Sequence, residues 1–295
     1  MPPHSLFAMP PGFTGSPLDR LDNERDHPDI YAQRRADPRA LLLRLDDLEP
    51  VTDEAGALAW APLAEAPADA DLALLGTIDD LPRFVALTRD HGPGDHAARW
   101  RMLDGLPAGE AATYAAARSL VDWHARHGFC PNCGTPTTPF RGGWARRCPQ
   151  CKAEHFPRTD PVVIMLAEHE GRVLVGRQAR FPAGRYSALA GFVEVGESME
   201  EAVARELSEE AGVRVLSVRY LVSQPWPFPS SLMLACVAPV ESDALTLDRH
   251  ELEDAFWVTR AEVRAALAGA EDARFLPATP QAIAHTLLSL WAAAE

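Results

Sequence analysis

Three glutamates, Glu206, Glu209 and Glu210, stand close together in a segment patterned as a helix. Residues three and four apart share a helix face, so these carboxylates crowd and repel one another. A strong countercharge removes that cost, and hard divalent cations with oxygen ligands are its natural source. The cluster reads as a metal site. Set against that reading is a solvated acidic face, the ordinary state of Glu-rich helices.

The surrounding residues anchor such a helix. Ser198 and Glu201 have the spacing of a capping box. Met199, Val203 and Leu207 form an apolar stripe, and Gly212 stands where a left-handed C-terminal cap is expected. Arg205 is spaced to reach Glu201 and Glu209 and to hold a carboxylate in place. From Gly191 to Val213 the chain resembles the Nudix box, G-x5-E-x7-R-E-aliphatic-x-E-E-x-G-aliphatic. The matching positions are Gly191, Glu197, Arg205, Glu206, Leu207, Glu209, Glu210, Gly212 and Val213. That resemblance implies a hydrolase of pyrophosphates linking a nucleoside to another moiety. Glu206, Glu209 and Glu210 would hold Mg²⁺ or Mn²⁺, supported by Glu197 and Arg205, and the loop from Gly191 to Gly196 would shape the site.

Two CxxC knuckles, Cys130-Pro-Asn-Cys133 and Cys148-Pro-Gln-Cys151, lie fourteen residues apart. Four thiolates at this spacing suit one closed tetrahedral zinc site, structural because no coordination position stays open. Gly134, Gly142 and Gly143 supply tight turns. Paired disulfides are the competing reading, disfavoured by the knuckle pattern and by the lack of a secretion signal.

The string SQPWPFPSS, Ser223 to Ser231, alternates prolines with aromatics. It reads as a stiff loop, neither helix nor central strand. It resembles the signature of the NADH pyrophosphatase branch of the Nudix enzymes, which also carries a four-cysteine ribbon before its Nudix domain. The branch resemblance implies hydrolysis of NAD(H) to nicotinamide mononucleotide and AMP, and of the 5′ NAD cap of RNA. It also implies a homodimer. Within the string, Gln224, Trp226, Phe228 and Ser230 become substrate-binding candidates. Phe192 joins them as a face on which a base or nicotinamide ring could stack; core packing is the other reading of each aromatic. Phe156-Pro157-Arg158 resembles a tyrosine-proline-arginine element of the branch, with the hydroxyl gone. Ala282 and Ile283 match a small-apolar pair in its C-terminal helix, with His285 where an arginine is common. Glu251, in HELEDAFW, falls where the branch has another acid, a further metal ligand or the general base; Glu253 competes for that place.

Composition sets outer bounds. With 28 basic and 42 acidic side chains in 295 residues the formal charge is −14, which argues against nonspecific nucleic-acid binding and requires metal and local arginines to attract an anionic substrate. Nine basic residues from Arg141 to Arg185 face four acidic ones. That surplus is either a solvated surface or a phosphate-facing, RNA-leading edge. No apolar run suits a membrane span, and no signal pattern opens the chain, so a cytoplasmic home is expected. Cys236, in SLMLACVAPV, reads as a buried core thiol.

The expected fold is α+β: a mixed Nudix sheet between helices, preceded by the zinc ribbon and an N-terminal α/β-type domain. Domain bounds are set at 1–125, 126–156 and 157–295, with an irregular start. Strands are expected over 39–48 and 57–63, a helix over about 109–126 carrying Tyr114, Leu120 and Val121, and a hairpin through Glu168 to Gly171. Further strands follow at RVLSVRYLVSQ and SLMLACVAPV, and a closing helix at 277–294. A Nudix enzyme for another nucleoside diphosphate such as ADP-ribose, and a non-enzymatic ligand sensor, stay as alternatives.

Overall fold

The computed structural model describes residues 9–88, 103, 105–107 and 109–294. The chain divides into two units, one of residues 13–159 with Pro227–Ser230, the other of 9–12, 160–226 and 231–294. The expected irregular start lies outside the described residues as far as residue 8. From there it is loop with one short 3-10 turn, Asp22–Glu24.

In the first unit, helix α1 (Pro28–Ala36) starts with proline at its first position, where no amide hydrogen is missed. The strand expected over 39–48 is divided into β1 (Leu41–Leu43) and β2 (Leu45–Asp46), followed by β3 (Glu49–Pro50) after Asp47 and Leu48 turn the chain through positive φ; the one expected over 57–63 is present, shorter, as β4 (Trp60–Pro62). β5 (Asp71–Ile78) and β6 (Leu81–Leu87) pair through a turn at Asp79 and Asp80, both left-handed. The sheet order is β4-β1-β6-β5, with β1 parallel to β6. Helix α2 (Glu110–Arg126) buries Tyr114, Leu120 and Val121 as its periodicity predicts.

The cysteine segment adds β7 (Thr138–Phe140), β8 (Ala145–Arg147) and β9 (Glu154–His155), all antiparallel. It is fastened to β5 where Trp144 Nε1 donates to Leu74 O at 2.7 Å. A Cβ on Gly143 would lie 2.5 Å from the Ala73 Cα, so only glycine fits there. Beneath it, His124 is buried between Gly143 O (Nε2, 2.7 Å) and the Arg146 guanidinium (Nδ1, 2.8 Å). Arg146 can only donate, so Nδ1 accepts and the proton sits on Nε2. Burial pushes His124 down to about 4; the Gly143 carbonyl opposes this, while Arg146 and His127 reinforce it. The neutral ring is thus favoured by folding. Its contribution, on the order of 3 kcal/mol, is full above the unfolded value near 6.5 and is lost as pH falls through about 4. His124→Gln, which retains a donor and an acceptor, should flatten the fall in melting temperature between pH 6.5 and 4. An unchanged slope would assign that fall to other groups.

In the second unit, β10 (Asp160–His169) is the central strand. Val163, Met165 and Ala167 face one core cluster, and Ile164 and Leu166 face the other. This alternation on two buried faces explains why the strand is apolar from Val162 to Ala167. β10 pairs parallel with β14 (Ser231–Pro239) and antiparallel with β11 (Arg172–Arg177) and β12 (Leu189–Phe192). β13 (Arg219–Trp226) and β15 (Asp254–Thr259) complete the order β13-β14-β10-β11-β15. Helix α3 (Met199–Ala211) packs on one face; α4 (Arg260–Leu267) and α5 (Ile283–Ala293) cover the other. The α+β fold with a mixed sheet between helices is what the sequence predicts.

Two elements differ from expectation. The strand expected over 214–224 starts at Arg219 and runs on through Pro225 and Trp226 as β13, so that only Pro227–Ser230 form the loop. β13 is an edge strand, where Pro225 removes no needed donor. The closing helix starts at Ile283, not at 277, because the Ile283 amide is tied to Gln224. Cys236 is buried, and burial pushes its thiol up to about 11, which suits a core residue.

Candidate functional site

The helix carrying the acidic cluster is fixed at both ends. Ser198 Oγ accepts from Glu201 N, the Glu201 carboxylate accepts from Ser198 N, and Gly212 caps the C-terminus at φ 70°. Because Glu201 is engaged in that box, Arg205 does not pair with it as its spacing suggested. Arg205 instead donates to Glu197 at 2.8 and 2.9 Å, to Glu206 at 2.8 Å, to Glu209 at 3.1 Å and to the Phe192 carbonyl at 2.9 Å. These partners hold its guanidinium well above its ordinary value, Glu197 foremost, and Arg205, helped by the Glu194 amide, in turn holds Glu197 below the usual carboxylate range.

Glu206 is buried and lies against β12. A Cβ on Gly191 would fall 1.9 Å from the Glu206 carboxyl group. The glycine therefore makes the seat in which that carboxylate rests. Gly191→Ala should displace the flexible carboxyl group with little loss of stability. Turnover should drop by about a hundredfold, the scale of a 1 Å misplacement at a reacting centre. Kinetics and thermal melting measured together check this; a fall in melting temperature that matched the activity loss would contradict it.

Glu210 is almost fully buried. Burial, with Glu206 and Glu251 nearby, pushes its carboxyl up to about 8, and it is hydrogen-bonded to Glu251. The loop bearing Glu251 is tied to the helix end, with Thr246 N donating to Ala211 O and Asp248 N to Glu210 O. Glu253 turns the other way and pairs with Arg177 at 2.8 Å. Geometry thus separates the two acids that sequence left open, putting Glu251 beside the cluster. A cavity of about 150 Å³ adjoins Glu210, with Gln178, Arg180 and Ser187 in its wall. No spacing rule pointed to these three, which come from an irregular segment.

The remaining candidates are divided between the units. Phe192 is 61% exposed at the end of β12, Trp226 is half-buried at the end of β13, and half-buried Ala282 precedes α5. Gln224 is fully buried; its Nε2 donates to Gly12 O and Gln281 O, and its Oε1 accepts from Ile283 N. Its side chain braces the segment that carries Ala282. In the first unit, Phe156 meets Phe140 edge-on at 6.4 Å. Phe228 packs edge-on against Phe13 at 6.1 Å, with the Arg118 guanidinium 4.8 Å from its ring centroid, and Ser230 is half-buried.

The four cysteines converge. Cys130 and Cys151 sulfurs are 3.6 Å apart, Cys133 and Cys148 3.5 Å, and all four lie within 4.8 Å of one another. Tetrahedral zinc with Zn–S near 2.3 Å requires S···S separations of roughly 3.8 Å, whereas a disulfide requires about 2.05 Å. The donor set fits zinc and excludes the paired disulfides. Gly134 and Lys152, each following the second cysteine of its knuckle, both turn left-handed.

Comparison with known families decides what these two centres belong to. Residues 157–279 match the NUDIX domain, and residues 125–156 match the NADH pyrophosphatase zinc ribbon domain. The chain carries a Nudix domain behind an NADH pyrophosphatase zinc ribbon. It is 46% identical over 193 residues to the human NAD-capped RNA hydrolase NUDT12, covering 62% of this chain and 42% of that protein. It is 45% identical over 189 residues to the NAD-capped RNA hydrolase NudC of Mycobacterium bovis, covering 61% and 60%. The match thus spans about half the length of these curated relatives. Within the Nudix domain, Glu206, Glu209 and Glu210 carry the box acids. Arg205 supplies the countercharge to Glu206 and Glu209, so the carboxylate oxygens already face a cation. The Nudix fold implies a divalent metal, and the donor set is suited to it: hard oxygens, one of them on an acid that burial makes costly to ionise alone. Among the described residues no helix is long and apolar enough to cross a membrane.

Proposed function

We propose that the chain hydrolyses the pyrophosphate bond of NAD(H) to nicotinamide mononucleotide and AMP, and removes the 5′ NAD cap from RNA. The observation that carries this reading is the seating of Glu206 against Gly191 together with the Glu210–Glu251 contact, on an intact Nudix box. The activity for which the NUDT12 and NudC relatives are named supports it. In the reaction a water oxygen bonds to one phosphorus as the bridging P–O bond breaks, so each product keeps a monophosphate.

Glu206, Glu209, Glu210 and Glu251 would hold Mg²⁺ or Mn²⁺, which when bound neutralises phosphate charge and lowers the pKa of a bound water. Arg205 orders those acids through Glu197 and keeps the loop at Phe192 in register through its carbonyl. Phe192, Trp226, Phe156 and Phe228 are each proposed as a ring-stacking group for the substrate, and Ser230 and Ala282 as further contacts to it; Gln224 braces the segment that carries Ala282. Zinc in the four-cysteine site is structural. The working form is proposed as a cytoplasmic homodimer, on the branch resemblance; mass measurement in solution tests the dimer.

Product analysis with Mg²⁺ or Mn²⁺ tests the function, comparing NADH, NAD⁺, ADP-ribose and a 5′ NAD-capped RNA at matched concentrations. Mononucleotides from NADH and a 5′-monophosphate RNA from the capped transcript are expected. Cleavage of ADP-ribose alone would overturn the substrate assignment. No cleavage of any of them, with metal loading verified, would overturn the enzyme assignment in favour of a sensor.

A further inference from the structure

A concavity of about 470 Å³ opens in the first unit between α1 and the ribbon turn Arg141–Gly143. Its wall carries four arginines, Arg25, Arg35, Arg141 and Arg147, against two acids, Asp26 and Asp71. In a chain of formal charge −14 that balance is reversed locally. Two of the arginines are braced. Arg25 stacks 3.8 Å from the centroid of Trp144 and donates to Asp22 and to Arg20 O, and Arg141 pairs with Asp26 at 3.1 Å. Burial, offset in part by Asp22, pushes Arg25 down to about 10, and the charges of Arg20 and Arg141 add to the push.

The other two are exposed. Arg35 is exposed, and among the described residues no hydrogen bond, ion pair or ring contact engages it. Arg147 is half-exposed, pairs with exposed Glu154, and lies over the Phe140 ring at 4.3 Å. A guanidinium stacked on an aromatic ring is a planar cationic surface that suits a nucleobase. A free arginine fork beside it suits phosphate oxygens. Arg141, Gly142 and Gly143 are left-handed in succession, and for Arg141 that conformation is strained. Trp144 and Ala73 pin the turn in place.

We propose that this concavity is a second binding site, for a phosphate-bearing nucleotide, in which Arg35 engages the phosphate and the Arg147–Phe140 stack takes the base. It stands whichever pyrophosphate the Nudix domain cleaves. The nucleotide comes either free in solution or as a unit of an RNA strand, and one experiment separates these sources. Binding of AMP and of a 5′-labelled ten-nucleotide RNA is measured for the unaltered 295-residue chain, for Arg35→Gln and for Arg35→Glu combined with Arg147→Gln.

Affinity is expected to fall by about tenfold for each arginine removed, with the salt slope of RNA binding shallower by about one per lost contact. NADH turnover and melting temperature should not move. Weakening of AMP and RNA together assigns the site to a mononucleotide; weakening of RNA alone assigns it to the strand. Unchanged binding in both variants would overturn the proposal. So would a loss of binding matched by a loss of NADH turnover, since the arginines would then act through the catalytic site.

Discussion

Glu206→Gln should lower NADH turnover by roughly two to three orders of magnitude while leaving zinc content and thermal melting close to those of the parent. Glutamine has the shape of glutamate, still fits the seat made by Gly191, and still offers an oxygen to Arg205. What it loses is one negative charge on a hard-metal ligand. Metal assistance is worth several kcal/mol of transition-state charge stabilisation, and each 1.4 kcal/mol is about a factor of ten in rate. The loss should fall on kcat, and raising the Mg²⁺ or Mn²⁺ concentration should recover part of it. Glu209→Gln should abolish turnover in the same way without unfolding the chain. Near-full activity in either variant would remove the acids from the metal site.

Cys130→Ser should act in the opposite order, on metal content and stability first. Cys130 is buried and its sulfur stands 3.6 Å from that of Cys151. Apparent zinc affinities of about 10–16 kcal/mol in small structural sites rival the whole stability of a domain, about 5–15 kcal/mol. Losing one thiolate should drop zinc from one ion per chain to well below one. A loss of several kcal/mol corresponds to a melting temperature lower by about 10 °C in a domain of this size. Zinc analysis and calorimetry check both. Unchanged zinc and melting would dismiss the ribbon site.

Residues whose positions are dictated by chemistry at short range were legible in the sequence. The box acids, the Ser198–Glu201 cap and Gly212 all lie within one helix and its ends, and the cysteines mark two local knuckles. What escaped depends on contacts between distant residues. Helix α1 has no buried residue and little amphipathic pattern to announce it. Pro225 reads as a strand breaker until its strand is known to be an edge. Glu251 and Glu253 look equivalent in HELEDAFW; only the contact of Glu251 with Glu210 and that of Arg177 with Glu253 say which faces the cluster. Gln224 was legible as a residue of interest but not as a brace, because its partners lie more than fifty residues away.

The two apolar faces of β10 carry a consequence for how the chain folds. In a strand with one wet face, a slip of one residue exposes the core and is rejected. β10 has no such safeguard, since either register would present apolar side chains to both layers. The two-residue turn at Glu170 and Gly171, both left-handed, therefore has to set the register locally by pairing His169 with Arg172. The parallel ladder to β14, some seventy residues distant, then inherits that register. Gly171→Ala strains one residue with nothing within 4 Å of the added carbon. Stopped-flow refolding should slow by as much as the loss of stability accounts for; an unchanged folding rate with faster unfolding would return the register decision to the core.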